Sequence, residues 1–167
     1  GKPSGLMDQM ASSVGSVITI DFADTENPII EKIDFDMEAM GCALCIVDVG
    51  GNHADLTHEY AAIPTEMKEV AGFFGRDVLR GVSYRELIAN ASRIRAQFGD
   101  RAFLRAVHFV KENERVGAIV NALRDKDYSC FLKLVTQSGD SSYRYLQNVY
   151  AASDPKEQSM AVALEMA

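Results

Sequence analysis

Val17-Ile18-Thr19-Ile20-Asp21-Phe22 carries the two-residue period of a half-buried strand, with Ile18, Ile20 and Phe22 on one face. A second alternation through Ile33, Phe35 and Met37 predicts a strand over 31–37, and the turn-rich Asp24-Thr25-Glu26-Asn27-Pro28 between the two predicts a hairpin. Ahead of it, residues 6–14 read as a short helix entered through Pro3-Ser4-Gly5 and closed by Gly15. Behind it, Ala43-Leu44-Cys45-Ile46-Val47-Asp48-Val49 is nearly all apolar, which predicts a strand buried on both faces and ended by Gly50-Gly51. From there the period becomes helical. One helix is expected over 65–74, ending at Gly75. A second is expected over 83–98, opened by the capping box Ser83-Tyr84-Arg85-Glu86 and stopped by Gly99. The longest spans 100–124, with Phe103, Val107, Val110, Val116, Ile119 and Leu123 at helical spacing. A fourth covers 127–150, interrupted at Ser138-Gly139-Asp140, and a fifth covers 154–167, with Asp154 as N-cap, Pro155 at the first position and Glu157 completing a capping box. Strands first and helices afterwards indicate an α+β fold rather than βαβ units.

The formal charge of -7 argues against nucleic acid as a partner, since neutralising phosphates needs clustered Lys and Arg. No apolar run approaches the roughly 18 residues that span a bilayer, and no signal peptide opens the sequence, so no membrane partner and a cytoplasmic location are expected. Three cysteines cannot all pair. Cys42 and Cys45 form a C-x-x-C within the expected strand, where residues three apart face opposite sides, so they read as two core thiols. No metal site is expected: the five-residue spacing of His53 and His58 suits no known zinc pattern, and His108 with Glu112, one helical turn apart, reads as a hydrogen-bonded pair. The sequence begins Gly1-Lys2-Pro3-Ser4 without an initiator Met, and its last helix lacks a stop signal. A fragment of a longer chain is therefore expected.

Chemistry concentrates in Pro3-Ser4-Gly5-Leu6-Met7-Asp8-Gln9-Met10-Ala11-Ser12-Ser13, which sets the Asp8 carboxylate in the first turn of a helix, three residues after a glycine that permits close approach. Such a carboxylate complements the helix dipole, and beside a small-molecule pocket it can orient a hydroxyl and take its proton. Spacing alone favours the simpler reading, an Asp that only complements the helix end.

Gly5-Leu6-Met7-Asp8-Gln9 resembles the second motif of galactokinases, in the GHMP superfamily of small-molecule kinases. Further blocks resemble the bacterial branch, in order: Asn52-His53-Ala54-Asp55-Leu56-Thr57-His58-Glu59-Tyr60-Ala61-Ala62-Ile63-Pro64, Leu104-Arg105-Ala106-Val107-His108-Phe109, Glu112-Asn113-Glu114-Arg115-Val116, and Gln137-Ser138-Gly139-Asp140-Ser141-Ser142-Tyr143-Arg144-Tyr145-Leu146-Gln147-Asn148-Val149-Tyr150. The resemblance implies that Asp8 is the catalytic carboxylate beside the sugar hydroxyl that attacks the γ-phosphate, and that Gly5, Asp8 and Tyr60 contact the sugar. Gln9, Ser12, Ser138 and Ser141 are implied as active-site neighbours. Ile63-Pro64 departs from the arginine pair that follows the tyrosine in many members.

The same resemblance implies the two-domain GHMP kinase fold, with 1–40 the end of the N-terminal domain and 41–167 most of a ferredoxin-like C-terminal domain. It implies a galactokinase that transfers the γ-phosphate of ATP, as its Mg2+ complex, to the C1 hydroxyl of galactose. The readings held beside it are a GHMP kinase for a different sugar and a non-catalytic, sugar-sensing protein. The family's N-terminal sugar segment, its glycine-serine phosphate loop and its late glycine-rich motif have no counterpart in these 167 residues, so this chain alone is expected to be inactive. Losing flanking strands that cover about 400 Å² of apolar surface would forfeit roughly 10 kcal/mol, so self-association or pairing with the rest of the parent chain is also expected.

Overall fold

The computed structural model describes residues 5–50 and 56–167, which form a two-stranded sheet followed by a layer of helices. This composition is compatible with the α+β expectation. Helix α1 (Met7–Val14) ends at Gly15, whose φ of 68° closes it. Strands β1 (Val17–Asp21) and β2 (Ile29–Ile33) pair antiparallel, Val17 opposite Ile33 and Asp21 opposite Ile29. The hairpin is as read, but β2 starts two residues earlier and ends four residues earlier than its alternation suggests. The Asp24 carboxylate accepts the backbone N–H groups of Glu26 and Asn27, which tightens the loop and brings Ile29 into the ladder.

Opposed residues share a face, so Val17, Thr19 and Asp21 lie on the side of Ile33, Glu31 and Ile29. That side meets the helices: Ile33 is 4% exposed, Arg80 binds Asp21, and Arg124 binds Glu31.

Residues 43–49 form no strand, and Ile46 is 94% exposed, with Leu44 and Val47 also in solvent. The expectation of a strand buried on both faces is corrected here. The sheet holds only β1 and β2 among the described residues, and without a neighbouring ladder an apolar run cannot bury its backbone. Cys42 and Cys45 are exposed for the same reason, not core thiols.

Helix α2 (Thr57–Phe73) begins eight residues before the expected 65, passing through Pro64. Proline removes the N–H that would reach the Tyr60 carbonyl, and the Thr65 hydroxyl donates to the next one, Ala61 O, at 2.8 Å. Its C-terminus is a Schellman motif at Gly75: Gly75 N–H donates to Gly72 O and Arg76 N–H to Ala71 O.

The Ser83 capping box forms, but its helix α3 (Tyr84–Ala89) stops at Asn90, and α4 (Ala91–Arg124) continues. Gly99, at φ 88° and ψ 169°, breaks α4 where the sequence places a stop. Asp127 caps α5 (Tyr128–Ser141), accepting from Cys130 N–H at 3.0 Å. The expected interruption at 138–140 lies slightly later, as a π-helical turn (Ser142–Leu146) closed by Gln147 in the left-handed region. The last helix, α6 (Ser159–Met166), starts after the expected Asp154 cap. The Glu157 carboxylate accepts from Ser159 N–H rather than from the Asp154 backbone, so that capping box does not form.

The core lies between α2, α3 and α4. Val70, Leu87 and Ile94 are fully buried beside Leu79, Val82, Ala106 and Val110, with Phe73, Phe74, Phe98 and Phe103 packed around them. Each fully buried Val, Leu or Ile contributes on the order of 1.5–3 kcal/mol. No helix is long and apolar enough to cross a membrane, among the described residues.

Candidate functional site

Two separate surfaces carry most of the residues singled out above. The first is the head of α1. Asp8 lies in its first turn, and Gly5, Asp8, Gln9 and Ser12 are all exposed. Asp8 and Ser12, one turn apart, share a face. No side chain caps the helix start, and Asp8 joins no salt bridge among the described residues. Nothing stands within 4 Å of where a Gly5 side chain would begin, so close approach there is left to a ligand. Pro3, Ser4 and His53 lie outside the described residues.

The second surface is a cavity of about 230 Å³ between the first turns of α2, the middle of α4 and the segment after the π turn. Tyr60, 49% exposed, lines it with Glu59, Ile63, Arg105 and residues 147–151. Helix α1 packs on β1 and makes no extensive contact with α2, so Asp8 and Tyr60 are not brought to one point in this chain.

Between these helices runs a polar seam that composition does not reveal. Arg101, Arg105, His108, Glu112 and Arg115 recur at three- and four-residue intervals, one stripe of α4. Glu66 of α2 takes Arg101 Nε at 2.9 Å on Oε1 and Arg105 Nη1 at 2.9 Å on Oε2. Arg105 Nε donates to the Leu146 carbonyl at 3.1 Å. Burial pulls the Arg105 guanidinium below its ordinary range against the attraction of Glu66, while the hydrogen bond Arg101 donates to Glu66 raises Arg101. His108 Nδ1 meets Ser141 Oγ at 2.9 Å, Ser138 Oγ donates to Glu112, and Arg115 pairs with Glu112. The expected His108–Glu112 hydrogen bond is thus replaced by a partner on α5 for each. Burial holds the His108 imidazole below its usual pKa, partly opposed by the Glu112 charge.

Ser141, 3% exposed, and Ser138 therefore spend their hydroxyls on packing α5 against α4. The spacing of the stripe was visible in the sequence. Its partners, Glu66 and Leu146, stand 39 and 41 residues from Arg105, and nothing local marks them. Among the described residues no group of three or more His, Cys, Asp or Glu is arranged to hold a metal ion.

No family model matches the chain. Individual relatives do. It is 34% identical over 127 residues to a galactokinase of Streptomyces coelicolor, covering 76% of this chain and 32% of that protein. It is 33% identical over 147 residues to a galactokinase of Actinobacillus pleuropneumoniae, covering 84% and 36%. A galactokinase of Mycobacterium tuberculosis is 30% identical over 141 residues, covering 84% and 38%. Over most of its length this chain is thus a relative of the bacterial galactokinases, and it spans about a third of the length of those it matches.

Proposed function

We propose that the full-length protein is a cytoplasmic galactokinase, moving the γ-phosphate of MgATP to the C1 hydroxyl of galactose. The observation that carries the reading is the match to galactokinases over 76–84% of the chain. Two features support it, a carboxylate exposed at a helix head and a tyrosine opening onto a cavity, on elements that make no extensive contact with each other in this chain. In this reading the sugar oxygen forms a bond to the γ-phosphorus as the bond to ADP breaks, and the hydroxyl proton passes to Asp8. Gly5 leaves room for the sugar, and Tyr60 gives it a hydrogen bond. Phosphoryl transfer depends mostly on positioning and charge stabilisation, so the base is one part of a larger site. Residues 1–40 belong to the end of an N-terminal domain and 41–167 to a C-terminal one, with the catalytic cleft between. In this reading magnesium enters with the nucleotide's own phosphates, the usual way this ion is held in kinases.

Galactose-dependent ADP release by the full-length protein tests the reading. Asp8→Asn should lower kcat by about 10²–10⁴, the usual worth of a positioned base. Turnover within about threefold of wild type would remove Asp8 from the mechanism. Phosphorylation of another sugar in place of galactose, or binding of sugar and ATP with no turnover, would replace the galactokinase reading with a different kinase or a sensor. The 167-residue chain alone should release no ADP.

A further inference from the structure

We propose that Arg105 is a positioning residue for the sugar pocket, fixing the gap between the α2 turn that bears Tyr60 and the 147–151 segment facing it. The proposal rests on the galactokinase reading of that cavity. Arg105 is 2% exposed and lines the cavity itself. One edge of its guanidinium holds Glu66, six residues beyond Tyr60 on the same helix, and its Nε–H holds the carbonyl of Leu146, the last residue of the π turn. The cavity wall begins at the next residue, Gln147, whose left-handed backbone turns the chain out of the helix. A carbonyl at a helix end has no donor in its own helix, so Arg105 supplies the one that Leu146 lacks.

Stability alone does not explain a buried arginine here. Desolvating a guanidinium is costly, and an apolar side chain of similar volume is often as stable or more so. What an apolar residue cannot do is set two distances at once. The planar fork of donors does this, and a lysine, a single point charge, cannot reproduce both bonds. The anchor is itself immobilised, because Arg101 takes the other oxygen of Glu66. Opening this bridge therefore moves one wall of the pocket relative to the other, and does so away from the helix that carries Asp8.

The test uses the full-length protein with galactose and MgATP, comparing wild type with Arg105→Lys. The galactose KM should rise about tenfold or more, as expected for losing one charge-assisted hydrogen bond, while kcat and the ATP KM stay within about twofold. Amide hydrogen exchange over 147–151 should accelerate in the variant. A lower melting temperature with an unchanged galactose KM would mean that Arg105 only supports the fold, and would overturn the proposal. If Arg105→Lys does not fold, Glu66→Gln replaces it and should raise the galactose KM in the same direction. If wild type turns over no galactose, the functional reading fails on its own. Exchange then decides the bridge: equal protection of 147–151 in wild type and variant overturns it.

Discussion

Replacing Gly99, Gly117 and Gly139 by alanine makes one chemical change in three backbone settings, and the structure assigns the settings opposite signs. At Gly99, φ 88° and ψ 169° lie where only glycine rests comfortably, yet nothing stands within 4 Å of the added methyl. The cost of Gly99→Ala is therefore backbone strain alone, about 1–3 kcal/mol, offset by about 0.4–1 kcal/mol from a less flexible unfolded chain. A net loss of roughly 1–2 kcal/mol remains. Gly117 and Gly139 sit inside α4 and α5 with open space at the same position and no left-handed φ. Alanine there should stabilise by about 0.5–1 kcal/mol each. Urea unfolding followed by far-ultraviolet circular dichroism reads all three. With a slope near 2 kcal/mol/M, Gly99→Ala should lower the midpoint by about 0.5–1 M, and the other two should raise it by about 0.3–0.5 M, at unchanged slope. A Gly99→Ala midpoint at or above wild type would refute the reasoning, since it would mean that α4 runs straight through that residue.

Ser83→Ala removes the hydroxyl that accepts Glu86 N–H at 3.2 Å and donates to the Glu86 carboxylate at 2.7 Å. It should cost about 0.5–2 kcal/mol in the same titration, and no change would mean that the cap does not hold α3. Because burial lowers the His108 pKa in the folded state, the unfolded chain binds more protons as the pH falls through about 6.5. Stability from this group is full above that value and declines below it; urea midpoints at pH 8, 6.5 and 5.5 should show the decline, and His108→Gln should flatten it. Cys42 and Cys45, both exposed, should react with a thiol reagent in the native protein faster than the half-buried Cys130. Equal rates for all three would return 43–49 to the interior.

Local signals read well from sequence where the chain's own neighbours decide the outcome. Gly15, Gly75 and Gly99 stop helices because their backbone angles need glycine, and Ser83 and Asp127 start them because their oxygens reach amides three residues on. Pro64 misled for a related reason: the lost N–H suggests a start, but one turn can lose one bond and stay helical when a threonine hydroxyl bonds the next carbonyl. The run at 43–49 misled differently. Apolar character records that a segment can be buried, whereas burial needs a partner, and no partner is encoded within the run. The site divides along the same line. Asp8 and Tyr60 are proposed from the motifs around each, but the Glu66–Arg105–Leu146 bridge joins residues about 40 positions apart, where only the folded chain makes them neighbours.

The hairpin's attachment gives the Asp8 arm a mechanical character unlike that of the Tyr60 wall. Helix α1 rests on β1, and the hairpin is moored to the helical body by Ile33, the Phe35–Phe131 ring contact, and the Asp21–Arg80 and Glu31–Arg124 pairs at the surface. Surface pairs contribute about 0–1 kcal/mol each and fade as dissolved ions crowd around them. The carboxylate thus rides on a lever whose stiffness partly follows the surrounding electrolyte, while the tyrosine stands on a helix held mainly by buried apolar side chains and the buried Arg105.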